Sequence, residues 1–302
     1  MMSSHLPGRL LAVAGLVVAA KAGLVGPGVR GLTAVIPAAA SEIIPWPSAT
    51  ELAEAGVDPP AADGSTPEVG QIDQFMGAIS SQESGGDYDA VGPTTRSGEN
   101  AQGRYQILPS NWPSWAVEAG LPADAPQTPM NQEIVARHKM LAYYDQFGSW
   151  ESVAVAWFAG PDRVGDPTVW TVDDLSATVR EYVDTLIANM DKIHVDASIQ
   201  PQVDQMVADA AADGVTLTGV GWRSHGTQIE LRTVNGCPDT WTSSPSTCDV
   251  PTAIPGTSLH EQGLAIDFDM TPGVFDWLQA HAAAYGLHNL PSEPWHWSTT
   301  GS

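Results

Sequence analysis

The sequence predicts a multidomain chain, a mainly α unit followed by an α+β unit, and three observations carry that reading. At 302 residues the chain is long enough for two ordinary domains. Its hydrophobic fraction is 43%, so each half can bury a core of its own. The patterning also changes along the chain. Apolar residues recur at helical spacing as far as about residue 194, and short alternating runs between polar loops follow.

Residues 1–44 read as a signal peptide or membrane anchor. Arg9 precedes the apolar run Leu10 to Ala20 and Lys21 follows it, the pattern of a secretory signal. The run is short for a membrane span, which needs about 20 apolar residues. A second apolar stretch, Leu32 to Ala40, ends in the small residues Ala38-Ala39-Ala40, a cleavage neighbourhood. Either form exports the body of the protein. Residues 45–70, with Pro45-Trp46-Pro47 and Asp58-Pro59-Pro60, read as a Pro/Ala-rich linker stiffened by proline.

Residues 71–194 make the first folded unit. Ile72, Phe75, Met76 and Ile79 keep a helical period and lead into Glu83-Ser84-Gly85-Gly86, where the chain must turn. Residues 87–127 are rich in Gly, Pro, Asn and Thr and read as loop. Met130 to Phe147 and Trp150 to Phe158 read as helices. Asp173 to Ile193 reads as another, with Leu175, Val179, Tyr182, Val183, Leu186 and Ile187 as its apolar stripe.

Residues 195–302 make the second unit. Val203 to Asp213 reads as a helix that Gly214 ends. Val215 to Val220 alternates like a strand, and Thr227 to Val234 reads as a helix. Leu264 to Phe268, Val274 to Tyr285 and Trp295-His296-Trp297 read as strand, helix and strand. The chain's two cysteines, Cys237 and Cys248, fall in one polar stretch, close enough to close a small loop. In an exported protein a disulfide there stabilises by roughly 2–4 kcal/mol.

Charge excludes whole classes of partner. Lys and Arg number 12 against 35 Asp and Glu, a formal charge of −23. Nucleic acid is excluded as the main partner, because a phosphate backbone needs clustered cations. An anionic membrane surface is disfavoured for the mature body on the same ground.

Glu83 is the first candidate for chemistry. A carboxyl at a helix end, half against an apolar wall and half over a cleft, has a raised pKa and can protonate a glycosidic oxygen. Gly103-Arg104-Tyr105-Gln106-Ile107 and Ala156-Trp157-Phe158-Ala159-Gly160-Pro161 follow in order. These three motifs, over residues 71 to about 165, resemble the soluble lytic transglycosylase domain of the lysozyme-like superfamily. The resemblance implies a helical domain with a saccharide groove, Glu83 as acid/base on the MurNAc–GlcNAc bond, and Tyr105 and Gln106 along the groove. In that family a Tyr-Asn pair usually precedes Ala-Gly-Pro, and its Tyr often orients the catalytic carboxyl; here Trp157-Phe158 stand in its place. Glycoside hydrolysis normally needs two carboxylates. Asp87, Asp89 and Glu99 are the candidates for a partner, and a lytic reaction needs none.

The second constellation lies near the C-terminus. His260 and Asp267 in Ser258-Leu259-His260-Glu261-Gln262-Gly263-Leu264-Ala265-Ile266-Asp267, with His296 in Glu293-Pro294-Trp295-His296, offer two imidazoles and a carboxylate. Hydrolytic zinc commonly takes three protein ligands and keeps a fourth position open. Glu293 is placed for a general base, and Arg223 for an oxyanion. His225, His281 and His288 are scattered and carry no expected metal role, and Asp269 is expected to serve a turn. Together with Gly221-Trp222-Arg223-Ser224, the pattern resembles the D-alanyl-D-alanine carboxypeptidase/dipeptidase family of zinc peptidases over residues 203–298. The resemblance implies Zn2+ held by His260, Asp267 and His296, Glu293 as base, Arg223 at the tetrahedral intermediate, and Ser258 and Gln228 as substrate contacts.

Both readings converge on peptidoglycan, its glycan strands and its stem peptides. The expectation is an exported, bifunctional wall hydrolase. Two competitors stand beside it: a zinc peptidase whose lysozyme-like domain only grips glycan, and a wall-binding scaffold with both sites inactive.

Overall fold

The computed structural model describes residues 69–95, 97–174 and 177–302. The signal or anchor expected at 1–44 lies outside the described residues, as does the linker up to residue 68. Among the described residues no helix is long and apolar enough to cross a membrane.

The first unit is built on α1 (Val69–Glu83), whose Phe75, Met76 and Ile79 are wholly buried. Three later helices enclose it: α3 (Pro129–Phe147), α4 (Trp150–Ala159) and α5 (Val179–Met190), with α2 (Trp112–Glu118) between α1 and α3 in sequence. Local signals set their ends. Thr128 caps α3 with Pro129 just inside it, Gly148 closes it in the left-handed region at φ 77°, and Ser149 caps α4. Tyr105, Met140, Val153, Phe158 and Leu186 complete the core around α1.

Two parts of this unit differ from expectation. Residues 87–127, read as loop, contain α2 and the hairpin β1 (Val91–Thr94)–β2 (Asn100–Gln102). Pro113 and the polar neighbours of Trp112 and Trp115 hide a helix that those two buried indoles hold in place. The helix expected from Asp173 starts at Val179 instead. Thr178 and Glu181 form a reciprocal capping box there, and a short hairpin, β3 (Asp173–Asp174)–β4 (Ala177–Thr178), takes up the preceding residues.

The second unit is α+β. It contains α6 (Gln200–Ala212), β5 (Gly219–Val220), α7 (His225–Val234), β6 (Ala265–Phe268), α8 (Val274–His281), β7 (His288–Leu290) and β8 (Glu293–Ser298). The strands form one antiparallel sheet in the order β5-β6-β8-β7. Ile266, Phe268 and Trp297 from the sheet meet Val203 and Met206 of α6 and Leu278 of α8 in its core. The strand expected over Val215–Val220 shrinks to its last two residues. β7, too polar at His288 and Asn289 to read as a strand, pairs with β8 at the edge. Asp269 serves the turn, as expected: its amide donates to Thr218 O and its carboxylate accepts from the Thr218 hydroxyl.

Cys237 and Cys248 are disulfide-bonded. The loop they close is also held by Arg232, which is fully buried. Its guanidinium donates to the carbonyls of Asp239, Thr240, Ser243 and Thr252.

The two units share a tight joint at His194. Its ring packs on Gly77 of α1, where an added Cβ would lie 2.8 Å from it. Its carbonyl receives the Trp222 amide at 2.6 Å, and a Cβ on Gly221 would sit 2.2 Å from that oxygen. Trp222, from the second unit, is buried in the core of the first.

Two predictions arise from this architecture. Cys237→Ser/Cys248→Ser should lower the second unit's unfolding free energy by roughly 2–4 kcal/mol; an unchanged denaturation midpoint on reduction would show that Arg232 alone holds the loop. Burial lowers the His194 pKa from 6.5 to about 4. The unfolded chain therefore binds a proton between those values that the folded chain refuses, and stability is lost as pH falls through that window. His194→Gln should flatten the fall in melting temperature over that range.

Candidate functional site

Sheet register builds the metal-binding group. In the antiparallel pair β6–β8, Asp267 lies directly opposite His296, so carboxylate and imidazole share a face. His260 arrives from the turn after Ser258, whose hydroxyl accepts the His260 amide at 3.2 Å. The three donor atoms converge. His260 Nε2 lies 3.2 Å from His296 Nδ1 and 3.2 Å from Asp267 Oδ1, and His296 Nδ1 lies 2.8 Å from the same oxygen. Ligands about 2.0–2.1 Å from a tetrahedral zinc ion stand about 3.3 Å from each other. The donor set fits that ion in kind and in spacing.

The far side of each ring strengthens the fit. His260 Nδ1 lies 2.7 Å from Gly221 O, and His296 Nε2 lies 3.3 Å from Ser302 O. Each remote nitrogen thus faces a carbonyl that can take its N–H, which would free the inward nitrogen, here bonded to Asp267, to ligate a metal. Electrostatics favour positive charge at the centre. Burial pushes the Asp267 carboxyl up, but hydrogen bonds from His260 and His296 and the Arg223 charge outweigh it and hold the group well below the usual carboxylate range. Burial likewise lowers His296, yet Asp267 wins and its pKa is raised.

Arg223 stands beside this group. Its amide donates to His260 O, and its guanidinium to Asp267 Oδ2 at 3.1 Å and to Gln228 Oε1 at 3.1 Å. Gln228, expected as a substrate contact, is buried, and its other amide end donates to Ala253 O at 2.8 Å. It links Arg223 to the segment that follows the disulfide loop. Ser258 is also buried and shapes the His260 turn. Glu293 is half-buried at the start of β8, and its charge raises the His296 pKa. Among the described residues, His260, Asp267 and His296 are the group of metal-ligating side chains that converge; His225, His281 and His288 stay outside it.

Glu83 is the last residue of α1 and is 1% exposed. The Tyr182 hydroxyl of α5 donates to its Oε1 at 2.7 Å. Burial and the Glu83 charge push the Tyr182 pKa well above its ordinary value, so this hydroxyl keeps its proton. The sequence reading counted Tyr182 only as part of an apolar stripe. A hydroxyl on a core-facing position was the available signal. Trp157 and Phe158 are buried, with the Phe158 ring 4.4 Å from that of Tyr182. The tyrosine missing before Ala159-Gly160-Pro161 has a counterpart on another helix.

The expected groove residues are covered. Tyr105 is 1% exposed within the core. Gln106 is buried in the left-handed region at φ 50°, with its amide donating to Gly103 O. Asp87 accepts the Asp89 amide in a turn, and Glu99 grips the Ser110 amide and hydroxyl at 2.9 Å each.

The triad predicts a measurable response to metal. A divalent transition ion at about 100 times its dissociation constant should stabilise the chain by roughly 2.7 kcal/mol. His260→Ala and His296→Ala should abolish that rise in melting temperature; a full rise in either variant would remove the residue from the metal site.

Residues 70–169 match the family model "Transglycosylase SLT domain", and residues 192–302 match "D-alanyl-D-alanine carboxypeptidase", the VanY family. No curated protein matches the chain. Among solved structures, VanYB in complex with D-alanine-D-alanine is 24% identical, with a TM-score of 0.28, over 35% of this chain and 71% of that one. The vancomycin resistance D,D-pentapeptidase VanY in complex with Zn(II) is 25% identical, with a TM-score of 0.28, over 35% and 72%. The LdcB LD-carboxypeptidase is 24% identical, with a TM-score of 0.27, over 35% and 66%. The chain is thus similar, in order along its length, to a transglycosylase SLT domain and to a D-alanyl-D-alanine carboxypeptidase domain.

Proposed function

We propose that this chain is a bifunctional peptidoglycan hydrolase acting outside the cytoplasm. Residues 71–194 cleave the MurNAc–GlcNAc bond, and residues 195–302 hydrolyse the stem peptide as a zinc D,D-carboxypeptidase or endopeptidase. The observation that carries the reading is the convergence of the His260, Asp267 and His296 donors beside Arg223.

In the peptidase, His260, Asp267 and His296 hold zinc, which when bound supplies Lewis acidity toward carbonyl and water. Glu293 takes the proton of the attacking water and delivers it to the leaving amine. The Arg223 guanidinium balances the negative charge that develops on the carbonyl oxygen. Gln228 holds Arg223 in place and is itself anchored to Ala253 O, in the segment after the disulfide loop.

In the transglycosylase, Glu83 protonates the glycosidic oxygen. It then accepts the proton of the sugar's own 6-hydroxyl, leaving a 1,6-anhydro end. Tyr182 orients the carboxyl. Asp87 and Glu99 are engaged elsewhere, which leaves Asp89 as the candidate second carboxylate, and the lytic route needs none. The near-complete burial of Glu83 favours a second reading, in which this domain grips glycan without cutting it.

Mass spectrometry of soluble products from purified sacculi, with and without a zinc chelator, separates these readings. Anhydro-muropeptides that persist in chelator, beside shortened stems that vanish, are the expected result. Chelator-sensitive products alone would leave Glu83 without a catalytic role. Tyr182→Phe should slow anhydro-product release by about tenfold, the loss expected of a group that orients a catalytic one. Glu293→Ala should keep its zinc and lose roughly 10²–10⁴ of its peptide turnover; undiminished turnover would take Glu293 out of the mechanism.

A further inference from the structure

Helix α7 is capped from the other unit. Its own cap, Ser224, already accepts the Thr227 amide at 3.2 Å. Two buried carboxylates of the first unit then close on the same turn. Glu133 of α3 accepts the His225 amide at 2.8 Å, and Asp73 of α1 accepts the Thr227 hydroxyl at 3.0 Å. They are 7% and 2% exposed. Glu133 also accepts from the Tyr88 hydroxyl, which in turn accepts from Arg104 at 2.8 Å. The Arg104 guanidinium lies over the Trp222 ring, 4.2 Å from its centroid. Arg137, on the next turn of α3, pairs with Glu230 of α7 at 2.7 Å.

Burying carboxylates opposes folding, and a helix capped by Ser224 does not need two more acceptors to form. What these acceptors fix is place. Negative charge at the first turn suits the exposed amides and the dipole of α7, and it ties them to α1 and α3. The opposite side of the same short segment serves the metal group, with Gly221 O on His260 and Arg223 on Asp267.

We propose that Asp73 and Glu133, within the transglycosylase unit, are positioning residues for the peptidase: through the Thr227 hydroxyl and the His225 amide they set the first turn of α7 and hold Arg223 in line with Asp267. The proposal rests on reading residues 195–302 as a peptidase. It makes the helical unit part of the peptidase site, independent of any glycan cleavage by Glu83.

The test uses the full chain and a soluble peptide ending in D-alanyl-D-alanine, so that glycan plays no part. Asp73→Ala and Glu133→Ala should each lower peptidase kcat about 10- to 100-fold with KM within about twofold, as loss of a supporting partner does. Zinc content and anhydro-product release should be unchanged. Asp73→Asn, which still accepts from Thr227, should recover most of the rate. Hydrogen exchange gives a readout free of turnover: in Asp73→Ala the amides of residues 223–228 should exchange faster, while those of β6 stay protected. Wild-type kcat with unaltered protection would overturn the proposal, and so would a parallel loss of both activities with a collapsed melting temperature. Should Asp73→Ala fail to fold, Thr227→Val removes the same hydrogen bond from the other side and carries the same expectations. Should the wild type cleave no peptide, the peptidase reading falls, and exchange at residues 223–228 alone decides whether α1 holds this turn.

Discussion

Much of this molecule hangs on one short stretch of chain, Gly221 to Gln228, which ties the hydrophobic core of the first unit to the candidate metal group of the second. Its tryptophan is buried among the helices of the first unit, and its arginine lies against the metal group of the second. The constraint is severe because each residue is engaged on a different side. Gly221 has no room for a side chain beside the His194 carbonyl, and its own carbonyl fixes the tautomer of His260. Trp222 supplies the apolar contact area, and Arg223 the charge. Ser224 then starts a helix whose first turn faces buried acids. The units are therefore not independent modules on a flexible tether, whatever their separate family origins.

Within each unit the reactive groups are held by their neighbours' remote atoms. The two imidazoles are aimed by backbone carbonyls, Glu83 by a tyrosine, and Arg223 by a glutamine that is itself anchored to Ala253. Orientation of this kind matters more to catalysis than the strength of any single bond, because a reacting group displaced by an ångström loses most of its advantage. The buried Arg232 plays the same part for the disulfide loop. It donates to four main-chain carbonyls and so ties both arms of that loop to α7.

How much of this was legible in the sequence depended on range. The candidate metal group was readable because His260 and Asp267 stand close in sequence and Glu293 precedes His296 by three, in a polar pattern that a core would not produce. The long helices were readable because their apolar period persists over several turns. The β1–β2 hairpin and α2 were not, since each is too short for periodicity and is broken up by Gly and Pro. Tyr182 was hidden by its own success as a core residue: its ring satisfies the stripe, and only its position 99 residues from Glu83 gives the hydroxyl a purpose. The acids at Asp73 and Glu133 were hidden more deeply. Their partners lie 154 and 92 residues away, and nothing local distinguishes them from solvated helix acids.

The pairing of Asp267 with His296 across β6 and β8 has a consequence for how this domain can diversify. Side chains alternate faces along a strand, so slipping the register by one residue would turn one ligand away from the other. The intervening segment, α8 and β7 included, is free of that parity, because it only has to bring β8 back alongside β6. Between residues 270 and 290 the core contacts of Val274, Trp277 and Leu278 fix α8, so a change of length there is best taken by the turns around it, whereas one residue gained or lost inside β6 or β8 parts Asp267 from His296. The ladder acts as a ruler for the ligands, and the loop beyond it is where new surfaces can be tried.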